Sequence, residues 1–257
     1  MVKRYSSNLS MKGTIYNAVS DGTGTILTTT TFAYVKPSRL LLQQKQDSKN
    51  GGTFRVASDG KTFSYDPPID VSDRERSRAR LSEPVKKIQM GRDKYGKQYF
   101  KSFFMLTVPD IYVAASNSLP DASPVHDIVL GAGVNVDGWL ANVITVDSPV
   151  SETLDGVKVT LIHGKFRTKR TTYAGDTIRR PVIVPGTNGP LQPGSKTFES
   201  TDVPADYYFY IGEDGLLKRF KTEESYMVAE RTVGLASIWD VIVDMNPDIP
   251  LKIFTSY

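Results

Sequence analysis

Short runs of Val, Ile, Thr, Tyr and Phe, interrupted by Gly, Asp, Asn and Pro, dominate the first quarter of the chain. Branched and aromatic side chains suit the pleated surface of a sheet, and the interrupting residues are those that turns require. The pattern predicts strands over 9–19, 25–35, 38–46, 53–58 and 62–66, separated by turns at Asp21-Gly22, Lys36-Pro37, Asn50-Gly51-Gly52 and Asp59-Gly60. Strands joined so closely form an antiparallel meander. Asp59-Gly60 carries the sharpest hairpin signal, because a type I′ turn needs positive φ at both central residues. Alternation along Arg39-Leu40-Leu41-Leu42 and then Gln43-Gln44-Lys45 is weak for a sheet with one wet face.

From 70 to 150 the texture changes. Phe103 to Val108, Ile111 to Ala115 and Val125 to Leu130 are apolar and broken by Pro109, Pro120 and Pro124, which predicts short helices or extended lid segments. Strand texture returns over 157–166, 207–211, 216–222 and 227–245, with a further hairpin turn at Glu213-Asp214-Gly215. Between them, 171–206 is rich in Pro and Gly and reads as an inserted loop or loose hairpin, longer than packing alone needs. Tyr208 and Tyr210 alternate with Phe209 and Ile211, which puts aromatic rings on both faces of one strand.

A length of 257 residues fits one large β-rich domain spanning 1–257. With 39% hydrophobic and 23% charged residues the chain is neither disordered nor membrane-spanning, and no apolar run reaches the roughly 18 residues a transmembrane helix needs. It has no cysteine, which removes disulfides, thiolate metal sites and cysteine nucleophiles. Met1 to Asn8 begins with basic residues but has no apolar stretch after them, so this chain shows no signal peptide: the protein is cytosolic, or a signal has been removed.

The net charge of +4 is local. Residues 73–101 hold ten basic and four acidic side chains, so this segment outweighs a slightly acidic remainder. A solvated face is its default reading; a surface for anionic lipid headgroups comes next, and nucleic acid last, because the segment interleaves few aromatic rings beyond Tyr95 and Tyr99. Arg74, Arg76, Arg78 and Arg80 form a cationic stripe if this segment is a strand.

Catalytic patterns mostly fail. Gly91 to Lys97 spells G-x-x-x-x-G-K, but Gln98 stands where a phosphate loop needs Ser or Thr. Ser58 and Lys61 have S-x-x-K spacing, yet a turn intervenes where that chemistry needs a helix. The two histidines, His126 and His163, lack the close spacing of a metal pair and would have to meet in three dimensions. His163 in a strand reads as a hydrogen-bonded structural residue. No catalytic residue, metal ligand or cofactor is expected.

Phe32-Ala33-Tyr34-Val35-Lys36-Pro37-Ser38-Arg39-Leu40, followed by Val56-Ala57-Ser58-Asp59-Gly60-Lys61-Thr62-Phe63-Ser64-Tyr65-Asp66-Pro67, resembles the early strands of periplasmic lipoprotein carriers of the LolA/LolB type. Tyr208 to Arg219 resembles the late hairpin of that superfamily, and Asn246-Pro247-Asp248-Ile249-Pro250 with Phe254 its closing turn. The resemblance covers about 9–68 and 155–257. It implies an α+β fold: a strongly curved antiparallel sheet, an unclosed half-barrel, with short helices as a lid on its concave face. It also implies a non-catalytic carrier or binder of lipid or lipoprotein acyl chains in the periplasm or cell envelope, with a membrane-associated protein partner; peripheral contact with anionic membrane is the expectation from the basic segment 73–101. On this reading the cargo wall is formed by Phe32, Tyr34, Leu40, Leu42, Phe103, Phe104, Leu106, Ile111, Tyr112 and Phe209. The carriers place an Arg directly before the strand-two Pro to latch the lid; Lys36 stands there in this chain, with Arg39 as a substitute. The alternative reading on the same fold is an envelope sensor or regulatory protein-interaction module.

Overall fold

The structure, a computed structural model, describes residues 1, 4–5, 7–47, 53–60, 63–66, 107–116, 119, 121, 123–173, 198–228 and 231–254. Five strands open the chain: β1 (Ser10–Ser20), β2 (Thr25–Val35), β3 (Arg39–Asp47), β4 (Thr53–Asp59) and β5 (Phe63–Asp66). Three short helices follow, α1 (Val108–Ser116), α2 (Pro124–Leu130) and α3 (Gly133–Leu140). Then come β6 (Val143–Val146), β7 (Val150–Leu154), β8 (Val157–Tyr173), β9 (Phe198–Gly212), β10 (Leu217–Val228) and β11 (Arg231–Met245), and a 3-10 turn at Leu251–Phe254.

All eleven strands belong to one sheet in the order β5-β4-β3-β2-β1-β11-β10-β9-β8-β6, with β7 also on β8. Every pairing is antiparallel, and the end strands β5 and β6 do not meet, so the sheet is unclosed. Its curl is visible in one residue. Asp121, between α1 and α2, hydrogen-bonds Gln44 on β3 and Trp239 on β11. Those strands stand three spacings apart, about 14 Å in a flat sheet, and their side chains converge only if the sheet wraps around the helices. The chain thus has the α+β architecture that the resemblance implied.

Register explains which face is inner. Met11 and Ile15 on β1, Phe32 and Tyr34 on β2, Leu40 and Leu42 on β3, Phe220 on β10 and Trp239 and Val241 on β11 alternate with outward residues and join one buried core with the helices. Gly13 lies in this pattern because the Phe32 ring and the Ile242 carbonyl occupy the place a Cβ would take. The weak alternation at Leu40-Leu41-Leu42 has a physical cause. Leu40 and Leu42 face the helices, while Leu41 packs on the other face with Ala33, Ile249 and Phe254, where the C-terminal segment folds back at Asn246 in the left-handed region (φ 53°). Both faces of β2–β3 are therefore covered.

Several expected boundaries shift. The Asp59-Gly60 hairpin exists, but Ser58 pairs with Phe63, so its connection holds four residues; Gly60 has φ 90° while Asp59 stays in the strand. The two-residue turn with both φ positive is Asp155-Gly156, between Leu154 and Val157. Pro109 and Pro124 do not break helices: they sit in the first turns of α1 and α2, where the missing N–H costs nothing. The expected 171–206 loop is narrower, because β8 and β9 stay in register out to Tyr173 opposite Phe198. The run 227–245 divides into β10 and β11, paired from Val228 and Arg231. The basic segment 73–101 lies outside the described residues.

Candidate functional site

The helices sit on the inner face. At one end, the N–H of Val108, which opens α1, donates to the carbonyl of Pro37 in the β2–β3 turn (2.8 Å). Here the latch was expected from Lys36 and Arg39. Among the described residues one link here is made by backbone, while Arg39 lies against Gly60 and burial pulls the Lys36 ammonium below the usual lysine range. At the far end, Trp139 of α3 lies among Phe166, Tyr207, Phe209 and Phe220, with ring centroids 5.3–6.0 Å apart and mostly edge-on. Tyr207 reaches its place by crossing Gly164 to donate to the Thr145 carbonyl (3.2 Å), and no side chain could stand at 164 beneath it.

Between the two ends is a buried polar joint. The side-chain oxygen of Gln44 accepts from the Asp121 N–H (3.1 Å), and its amide nitrogen donates to the Asp121 carbonyl (2.6 Å). That pair of hydrogen bonds to the backbone of one residue fixes which way the amide points. The same amide nitrogen faces His126 Nε2 at 3.3 Å. An amide nitrogen only donates, so Nε2 must be the accepting nitrogen, and the Thr30 hydroxyl donates to it as well (2.9 Å). The proton therefore sits on Nδ1 and is given to Ser123 Oγ (2.8 Å). Trp239 closes the joint by donating from its indole N–H to the Asp121 carboxyl (3.1 Å). His126 and Gln44 are fully buried. Burial pulls the His126 imidazole below its ordinary range, with the Asp121 carboxyl opposing; burial pushes that carboxyl up, with His126 and the Trp239 hydrogen bond opposing.

Of the expected cargo wall, Phe32, Tyr34, Leu40, Leu42, Ile111, Tyr112 and Phe209 are all buried in the one core that joins sheet and helices. Phe103, Phe104 and Leu106 lie outside the described residues. Sequence reading missed the joint itself: Gln44 sits in a polar run that reads as solvated, and nothing local marks Asp121. Tyr5 was missed too. It is buried at the mouth of the core, where its hydroxyl accepts from the Leu217 N–H (3.0 Å) and its carbonyl accepts from the Tyr34 hydroxyl (3.3 Å).

No protein-family model matches this chain, and no curated protein matches it. Solved structures do. The lipoprotein LppX of Mycobacterium tuberculosis matches at 11% identity and a TM-score of 0.35, over 97% of this chain and 96% of its own. LprF of Mycobacterium bovis matches at the same identity and TM-score, over 97% and 91%. A LolA superfamily protein of Nitrosomonas europaea matches at 11% and 0.26, over 97% and 91%. At such identities and scores these likenesses assign neither ligand nor activity.

The two histidines do not meet. His163 faces the opposite side of the sheet, with Nδ1 at 2.6 Å from Asp147 Oδ2, Nε2 at 3.1 Å from Asp206 Oδ1, and its ring stacked on Tyr208. This is a hydrogen-bonded structural role tying the β6–β7 connection to β8 and β9. Among the described residues no group of three or more acidic, His or Cys side chains is arranged to hold a metal ion. No helix among them is long and apolar enough to cross a membrane.

Proposed function

We propose that this protein is a non-catalytic, extracytoplasmic carrier or binder of lipid or lipoprotein acyl chains, held between the inner face of the sheet and the helical lid. The observation that carries this reading is the boundary between the two layers. It is apolar on both sides, from Leu40 and Ile111 to Phe209, and the polar links described above are hydrogen bonds, the Val108–Pro37 backbone bond at one end and the cluster around Gln44, Asp121 and His126 further in. Parting such a boundary uncovers apolar surface rather than paired charges, and an acyl chain restores the loss at about 0.8 kcal/mol per buried methylene. Phe32, Tyr34, Leu40, Leu42, Ile111, Tyr112 and Phe209 form the sheet-and-helix wall in this reading; Phe103, Phe104 and Leu106 complete it, and Lys36 and Arg39, the latch candidates, flank Pro37, whose carbonyl accepts from Val108. A membrane-associated protein that delivers or accepts the cargo is the implied partner.

Organic extraction with mass spectrometry, run beside native mass spectrometry of the same sample, tests it. A stoichiometric lipid, lost in Phe104→Glu or Leu106→Glu variants that keep the wild-type fold by circular dichroism, is the expected result. A clean apo mass, with no uptake of added acyl lipid, defeats the carrier reading and leaves the envelope interaction module.

A further inference from the structure

The inner face changes character along the strands. Towards the β2–β3 turn it is apolar, with Met11, Ile15, Phe32, Leu40 and Leu42. Towards the β1–β2 turn it carries a belt of buried polar side chains: Thr28 on β2, Asn17 on β1, Ser237 on β11 and Thr222 on β10. Asn17 stands opposite both Thr28 and Trp239, and Ser237 stands opposite Thr222, so the belt crosses four adjacent strands. Asn17 is only 4% exposed, and its amide nitrogen has no hydrogen-bond partner. The indole of Trp239 beside it is already committed to Asp121. Among the described residues the other buried side-chain atom without a partner, the Tyr112 hydroxyl, at least has the Asp127 carboxyl near it. Among the described residues the Asn17 amide nitrogen has no acceptor to give to.

We infer that Asn17 anchors the cargo by donating its amide N–H to an acyl carbonyl oxygen, so that the ligand class is an esterified or amide-linked acyl lipid rather than a free hydrocarbon or an ionised fatty acid. This rests on the carrier reading and adds the position and chemistry of the head end of the chain. A carbonyl oxygen accepts and does not donate, matches an isolated amide N–H, and is attached to the methylenes that the apolar end takes up. A carboxylate would need a buried cation, and among the described residues no Lys or Arg is buried.

The test uses the full chain and three probes of equal chain length: 1-palmitoylglycerol, its 1-O-hexadecyl ether, and palmitate. Binding is followed by the fluorescence of the two tryptophans. The wild type should favour ester over ether by roughly tenfold, with palmitate no tighter than the ether. Asn17→Leu should lose that preference and keep the ether affinity, with an apo melting temperature at or above wild type because an unpaired amide has left the core. If Asn17→Leu fails to fold, the carbonyl stretch of the wild-type complex with 13C=O-labelled ester serves instead: it should fall below its value in hexane. Equal affinity for ester and ether, a preference that survives Asn17→Leu, or an unshifted stretch overturns the anchor while the carrier stands. No uptake of any of the three lipids overturns both.

Discussion

Gln44 shows how one side chain can hold two layers together. Both ends of its amide are taken by the backbone N–H and carbonyl of Asp121, and the remaining donor direction meets His126. That geometry makes His126 the acid-sensitive member. A second proton would enter at Nε2, which faces the Gln44 amide nitrogen, a group that only donates, beside the Thr30 hydroxyl in a fully buried site. The imidazole is therefore held below its free value of 6.5, so the undocked or unfolded chain binds the proton more readily. The stability it contributes is whole above that pH and drains away as pH falls below it towards the lowered value. Asp121 works in the opposite sense, since its carboxyl is raised above 3.8 and its contribution is whole below that value and is lost as pH rises through the raised one. Between pH 7.5 and 5 the protection of the α2 amides, corrected for the intrinsic slowing of exchange in acid, should fall relative to β1 as acid is added. His126→Gln should flatten that dependence. An unchanged slope in the variant would place the acid sensitivity elsewhere.

At the scale of elements, the strands are held in place by what lies across them. Gly164 lets Tyr207 lie flat over β8 and bond the Thr145 carbonyl, which ties short β6 to the sheet. Gly164→Ala puts a methyl into both the ring and that carbonyl, and should cost about 2 to 3 kcal/mol, seen as a lower midpoint of urea unfolding with an unchanged slope. Gly22 has open space at its Cβ but a φ of 79°, so a substitution there tests backbone conformation instead of crowding. The ladder between β9 and β10 ends at Ala205, next to Pro204, which has no N–H to donate. Beyond it β8 and β9 run on as a pair. Proline here sets the width of the sheet.

On the scale of the whole molecule, lid and sheet each carry one of the two tryptophans, Trp139 on α3 and Trp239 on β11, and Phe220 touches both. If the lid opens as the proposed carrier function requires, these rings separate, so emission should respond to cargo in the wild type, and Trp139→Phe should isolate the sheet side. The concentrated charge of 73–101 makes a separate prediction. If this segment meets anionic membranes, the protein should sediment with phosphatidylglycerol vesicles at 50 mM salt, release at 500 mM, and ignore phosphatidylcholine. Retention on both lipids alike would indicate apolar insertion instead of charge.

What the sequence determined alone was mostly local. The first five strands fall within a residue or two of the ladders, because β-branched and aromatic runs between turn formers state their conformation without outside help. The division of 227–245 into two strands was not legible, since Ala229-Glu230 carries no turn signal. The wall residues Leu40, Leu42, Ile111 and Phe209 could be named as candidates from apolarity and resemblance. Gln44, Asp121, His126 and Asn17 could not be given their places, because a polar residue reads as solvated until something covers it. What covers these four comes from segments up to 220 or so residues away: α2 over β3, β11 beside β1. Burial is a property of the assembled sheet and lid, and so only the tertiary structure decided which polar groups lie inside and what each of them faces.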